Sequence, residues 1–312
     1  MKKLFLFFVI FMPLMTKAQL SFPIDGIYYS ITYNHEVRVV KNPYTYKGAI
    51  AIPSCITYRG DTYSVTSIDQ YAFAKCKGLT SVSIPNSVIS IEKYAFYGSS
   101  VTSVTIPNSV KEIGYWAFMD CESLSKVHIT DLETWCKINF KGYASNPLKY
   151  AHHLFLNGKE IKDLVFPNNM ETVKGWAFDG CSGLTSVTIP NGVKFIGEQA
   201  FQGCSSLKSV SIPNSVKLID EWAFHDCSGL KTLILGSGVW SIKNFAFYDC
   251  LNLKEVYCYA KEPPSRGHDV FGYSDKGYSF ISKATLYVPP FSYLEYKKSF
   301  MGVGFGTINV MK

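Results

Sequence analysis

WAFDGCSGLTSVTIPNGVKFIGE from Trp176, QAFQGCSSLKSVSIPNSVKLIDE from Gln199, WAFHDCSGLKTLILGSGVWSIKN from Trp222 and FAFYDCLNLKEVYCYAKEPPSRG from Phe245 decide the fold: four lines in a fixed register of 23 residues. Self-similarity at a period in the twenties marks a solenoid, in which one repeat is one coil and no coil buries its apolar face until a neighbour stacks on it.

Working outward, the pair Ala-Phe recurs at Ala72, Ala95, Ala117, Ala177, Ala200, Ala223 and Ala246, in steps of 23, 22, 60, 23, 23 and 23. The step of 22 is a one-residue deletion that also removes the repeat cysteine. The step of 60 hides one more coil, because Ile161, Leu164, Phe166 and Pro167 reproduce the strand signature and Met170, Val173 and Ala177 follow in register. Each coil carries L-x-x-V-x-I-P, as at Leu184, Val187 and Ile189. Alternation of side chains along a strand sends the Val and Ile positions to the core and the positions between them to an open parallel sheet. Beyond the Pro-Asn turn, pairs such as Val193 and Ile196 or Val216 and Ile219 point inward again.

Before the array, residues 19–66 read as a β-rich cap, with Asn34-His35 placed for a tight turn and Gly60-Asp61 for a second one. Residues 67–267 are the repeat array, interrupted by an insertion at 131–160. Within it, Asp131 opens a short amphipathic helix and Asn157-Gly158 marks a hairpin. Residues 268–312 supply a loop, a last coil at ATLYVPP and a cap in which Ser292 and Glu295 have capping-box spacing.

The chain of 312 residues is 47% apolar and 18% charged, which excludes a disordered polymer. Residues 1–18 read as a signal peptide: Lys2 and Lys3, an apolar run from Leu4 to Met15, then small residues before Gln19. The run is too short to span a bilayer, so the expectation is an exported, extracellular or surface-held protein without stable membrane insertion. Setting aside Lys2, Lys3 and Lys17 leaves 28 basic against 24 acidic residues, too even a balance for nucleic acid.

Repeats of the form L-x-x-V-x-I-P-N-S-V-x-x-I-x-x-x-A-F-x-x-C resemble the BspA-type leucine-rich repeat family, and the resemblance extends over the GIYY segment from Gly26, the first hairpin and the LYVPP segment. It implies a curved parallel-β solenoid, exported to the bacterial surface or exterior, with members that act as adhesins for host matrix proteins or neighbouring cells. The departures are the missing cysteine of the second full repeat, Leu235-Gly236-Ser237-Gly238 in place of the IPNS turn, and the insertion.

No HExxH, phosphate-binding glycine loop or G-x-S-x-G is present, and nothing orients His152 or His153 on Cys136, so no catalytic residue, metal ligand or cofactor is expected. Six of the nine cysteines, Cys76, Cys121, Cys181, Cys204, Cys227 and Cys250, follow the repeat and suit a buried column of single thiols. A second column, Tyr71, Tyr94, Trp116, Trp176, Gln199, Trp222 and Phe245, is read as corner packing, with sugar binding as the alternative. On the open sheet most coils present only Ser and Thr. The exceptions are Lys126 and His128, Asp163 and Val165, and a C-terminal group of Ile234, Glu255, Tyr257 and Tyr287 beside the stripe Lys208, Lys231 and Lys254. Exposed aromatic and apolar anchors ringed by charge are what a protein interface uses. The expectation is therefore a monomeric protein-binding chain, its partner a host matrix or neighbouring-cell surface protein as the family resemblance implies, with a glycan-binding accessory protein or a purely structural envelope component as alternatives.

Overall fold

The structure, a computed structural model, describes residues 21–272, 280–300 and 303–312. The signal peptide expected at 1–18 lies outside the described residues. The chain winds as a parallel β-solenoid. In each full repeat, a short front strand carries the V-x-I core pair, a two-residue back strand carries the second inward residue, and the Ala-Phe corner closes the coil. Hydrogen bonds between coils assemble the front strands into ladders such as Asp163–Val165, Ser186–Thr188, Ser209–Ile212, Thr232–Leu235 and Glu255–Cys258. The back strands pair in the same way, Thr172–Val173 through Ser265–Arg266.

Three columns fill the space between the ladders. Val187, Val210, Leu233 and Val256 come from the front strands, and Val173, Ile196, Ile219 and Ile242 from the back, all buried. The corner contributes phenylalanines stacked face to face: Phe178 on Phe201 at 5.5 Å, Phe201 on Phe224 at 5.0 Å and Phe224 on Phe247 at 5.2 Å between centroids. The Phe amide of one coil donates to the Ala carbonyl of the next, as from Phe201 to Ala223 at 2.8 Å. The corner is thus a third hydrogen-bonded ladder, which explains why Ala-Phe is the most regular dipeptide in the sequence: only a small residue lets the backbones approach, and only a large flat one fills the interior.

The repeat cysteines complete this ladder. All are single and buried. The thiols of Cys204, Cys227 and Cys250 donate to the carbonyls of Phe178, Phe201 and Phe224 in the preceding coil, at 3.4, 3.2 and 3.3 Å. Burial pushes the Cys181 thiol up to about 12 and those of Cys204 and Cys227 well above their ordinary value. Where the deletion removes a cysteine, Ser99 occupies the column, buried, its hydroxyl 3.6 Å from Cys121 Sγ.

The N-terminal cap begins as an antiparallel meander, Ser21–Ile24, Ile27–Ile31 and Glu36–Val39. Asn34 and His35 form its second turn, both with φ of 56°. Coil pairing starts at Glu36–Val39, which runs parallel to Asp61–Ile68, and Tyr46 packs 4.8 Å from Phe73, its ring tilted by 47°, where the preceding coil's phenylalanine would be. The next hairpin turns on Arg59 and Gly60, at φ 54° and 92°, one residue earlier than the sequence reading placed it, and Asp61 already pairs with Tyr58 in the strand.

At the C-terminus the repeat runs further than the sequence pattern shows. Val270-Phe271 takes the Ala-Phe place, with Phe247 donating to the Val270 carbonyl at 2.9 Å and stacking on Phe271 at 5.5 Å. Strand Thr285–Val288 and helix Tyr293–Ser299 follow, and Thr307–Val310 adds one more parallel strand. The expected capping box does not form. Ser292 Oγ instead donates to the Lys261 carbonyl at 2.5 Å, tying the helix to the coil below it.

Between the halves both ladders break. The front sheet of the first half ends in the hairpin Leu154–Leu156 and Lys159–Glu160, and the front sheet of the second half starts afresh at Asp163. The coil that starts at Lys126–Ile129 turns its corner at Ala144, whose carbonyl accepts from the Phe118 amide at 3.0 Å, and the coil of Leu164, Phe166 and Val173 follows it to the corner at Ala177. Ala177, first corner of the second half, has no preceding phenylalanine. Its carbonyl accepts from the indole of Trp135, on the helix Leu132–Lys137, at 3.0 Å and from the Asn146 amide at 2.9 Å. Asn146 also donates to the Trp176 carbonyl at 2.7 Å. Side chains of the insertion thus hold backbone acceptors that would otherwise be buried without a partner.

Candidate binding face

Each front strand places two residues on the open sheet, so the face is two columns of side chains crossing the coils. One column of the second half reads Val165, Thr188, Ser211, Ile234, Tyr257, Tyr287 and Asn309. Its middle is hydroxyl-lined and its C-terminal third aromatic. Tyr257 and Tyr287 stack at 4.5 Å with planes 7° apart, since parallel strands one coil apart put identical rings at stacking distance. Glu255 lies in the other column between Thr232 and Thr285. The Tyr257 hydroxyl is pushed up, first by partial loss of water and then by the Glu255 charge. Lys208, Lys231 and Lys254 are exposed, and successive amides and carbonyls of the three are bonded at 2.9 Å, so the side chains rise one coil apart along the border.

Lys126 and His128 stand elsewhere. They belong to the front sheet of the first half, on Lys126–Ile129, where His128 faces Phe155 at 5.1 Å and Lys126 Nζ lies 5.9 Å over the same ring. The structure therefore divides the residues singled out in the sequence into two clusters on either side of the break. Sequence reasoning missed Phe155, hidden in an insertion without repeat register. It also missed Tyr259, about half exposed beside Tyr257 and Tyr287. The signal for Tyr259 was available, because alternation continued past the strand puts it on the side of Tyr257.

The lateral aromatic column is more than ordinary packing in one respect. Tyr71, Tyr94, Trp116, Trp176, Trp222 and Phe245 all have φ between 54° and 60°, the left-handed region that costs a bulky residue roughly 1–2 kcal/mol. Amide bonds to the next coil offset this, as from Trp222 to the Asn244 carbonyl at 3.1 Å. So does stacking: Tyr71 on Tyr94 at 5.0 Å, Tyr94 on Trp116 at 5.2 Å and Trp222 on Phe245 at 4.3 Å. Ring faces turned to one another leave mainly edges outward, an arrangement poorly suited to stacking sugars along the ladder.

The groups weighed for chemistry are engaged otherwise. His152 Nδ1 lies 2.9 Å from the Gly180 carbonyl, His153 Nδ1 lies 2.6 Å from Glu160, and the buried Cys136 thiol is pushed up to about 12 by burial. Among the described residues no three His, Cys, Asp or Glu converge on a point a metal ion would occupy, and no helix is long and apolar enough to cross a membrane.

The sequence matches the profile of the BspA type leucine rich repeat region, in six copies, over residues 61–151 and 149–274. No curated protein matches it. A leucine-rich repeat protein of Bacteroides ovatus has a similar structure, with a TM-score of 0.57 at 21% identity over 93% of this chain and 76% of its own. A leucine rich cell surface protein of Faecalibacterium prausnitzii aligns with a TM-score of 0.47 at 16% identity, over 94% of this chain and 95% of its own. The pneumococcal vaccine antigen PcpA aligns with a TM-score of 0.43 at 17% identity, over 95% of this chain and 100% of its own.

Proposed function

Because the chain belongs to the BspA-type leucine-rich repeat family, we propose that it is an exported, surface-acting binding protein that grips a protein partner on its open front sheet. The observation that carries this reading is the contrast within one column. Thr188 and Ser211 give way to Ile234, Tyr257 and Tyr287, with Tyr259 alongside and lysines at the border. A sheet that needed only solvation would keep its hydroxyls, whereas partly exposed tyrosines held rigid by stacking, as Tyr257 and Tyr287 are, lose little side-chain entropy on docking. The charged border adds orientation and speed of encounter rather than affinity. The partner class is a matrix or neighbouring-cell surface protein, and no catalytic step is part of the proposal.

The test is capture. The chain from Gln19 onward, immobilised through its N-terminus, is offered a panel of purified matrix proteins and intact neighbouring cells. Saturable retention of one protein, competed by soluble chain, supports the reading. A chain that retains none of them leaves a structural envelope role as the better account.

A further inference from the structure

The residue before the left-handed corner is Gln70, Lys93, Gly175, Glu198, Glu221 and Asn244 in other coils, but Tyr115 in the coil before the one that carries the insertion. One coil on, the same distance past the back strand, stands Gly142, at φ 145°, and a Cβ there would come within 2.7 Å of Tyr115 Cε1. The Cδ1–Cε1 edge of the ring therefore abuts the Gly142 backbone, in the space a side chain would fill, and Tyr115 keeps about half its surface exposed. It forms one end of an open groove of about 630 Å³ on the back ladder of the first half, within the ~300–1,000 Å³ of ordinary ligand sites.

The rest of the lining is polar. Arg38, Lys93 and Lys141 supply three positive charges, and Asp69, Glu92 and Glu112 three negative ones. They alternate: Arg38 meets Asp69 at 3.2 Å, Lys141 meets Glu112 at 2.8 Å, and Ser90 donates to Glu92 at 2.8 Å. Arg38, Ser67, Ser90, Glu112 and Asn139 are register partners across five successive strands, a track on the order of 19 Å long at strand spacing.

We propose that this groove binds a neutral oligosaccharide, with Tyr115 as the platform for one pyranose ring. A sugar presents an apolar face of C–H groups, which a flat, half-exposed ring accommodates, and a rim of hydroxyls that each donate and accept. Interleaved carboxylates and cations satisfy both roles, and charge-assisted hydrogen bonds of this kind are the stronger ones. The charges cancel, which disfavours sulfated or uronic polymers and leaves uncharged chains as the ligand class. The site is separate from the front sheet, so it stands or falls independently of the protein-binding reading.

Affinity electrophoresis of the chain from Gln19 through gels containing laminarin, mannan, xylan or galactan, with chondroitin sulfate as the charged comparison, tests it. Retardation by at least one neutral polymer is expected, weakened at least tenfold in Tyr115→Ala and changed less than threefold in Tyr115→Phe, which keeps the platform. If Tyr115→Ala misfolds by circular dichroism, the double variant Gln70→Ala, Lys93→Ala takes its place, with the same tenfold loss expected. Absence of retardation by every neutral polymer, retardation by chondroitin sulfate alone, or equal binding by Tyr115→Ala and the parent chain overturns the proposal.

Discussion

The thiol of Cys227 donates to the main-chain carbonyl of Phe201, one coil back, at 3.2 Å. That carbonyl also accepts from the Cys204 amide at 3.2 Å, so both of its lone pairs are used inside the core. Cysteine suits the column because it is small, apolar and still carries a weak donor. Among the nine cysteines only Cys55 is exposed. Labelling of the native protein with a thiol reagent should give one fast group and eight slow ones, and nine fast groups after denaturation. Several fast groups in the native state would show that the column is open.

Phe201 is fully buried and stacked on both neighbours, Phe178 and Phe224. Phe201→Ala removes two aromatic contacts and leaves a cavity in the middle of the second half, so a loss of about 3–5 kcal/mol in denaturant melts is expected. A loss below about 1 kcal/mol would mean that the coil collapses around the gap.

Asn146 couples the halves of the solenoid. Its amide nitrogen donates to the Trp176 and Ala177 carbonyls, and its oxygen accepts from the Leu148 amide at 2.8 Å. Asn146→Ala should lower stability by about 2–4 kcal/mol, and it should also split unfolding into two transitions, because coils in a linear array are held mainly by their nearest neighbours. A single transition of unchanged steepness would place the coupling elsewhere, with Trp135 the first alternative.

Asp179 sits at the same junction, its side chain buried and 3.2 Å from Lys149 Nζ. Burial raises its carboxyl to about 6, against a smaller lowering by Lys149. A carboxyl that holds its proton more tightly in the folded state stabilises most below its unfolded value near 4. That contribution declines as pH rises towards 6 and is constant beyond. Asp179→Asn should therefore be more stable than the parent at pH 7.5, by about 1–2 kcal/mol, with the advantage shrinking by pH 4. Equal gains at both values in urea melts would show that desolvation of the carboxylate is not the cause.

Tyr257 tests the front face. Rigid aromatic anchors concentrate interface energy, and removal of one costs about 2 kcal/mol or more, or roughly thirtyfold in affinity. Tyr257→Ala should weaken binding of whichever protein is captured by at least tenfold, whereas Ser209→Ala, on the hydroxyl-lined part of the sheet, should leave it within twofold. Equal affinities in a titration of the two folded variants would move the site, most plainly to the cluster of Lys126, His128 and Phe155.

What the sequence determined by itself is the coil. A 23-residue period with Leu, Val, Ile, Ala-Phe and Cys in fixed places leaves one way to bury them, by stacking, and it names Phe201, Val210 and Cys227 as core without reference to any partner in space. Column membership follows from the same arithmetic, which is why Ile234, Tyr257 and Tyr287 could be aligned on one face before any coordinates. Only the tertiary structure decided what happens where the period fails. The Ala177 carbonyl is held by Trp135, 42 residues earlier, and by Asn146, and the edge of the Tyr115 ring rests against Gly142. Neither relation has a local pattern, because each depends on how a non-repeating insertion folds against coils that are already formed. The division of the front sheet into two, and with it the separation of His128 from Tyr257, has the same origin: the ladder continues only where the next strand arrives in register, and at Asn157-Gly158 the chain turns back as a hairpin instead.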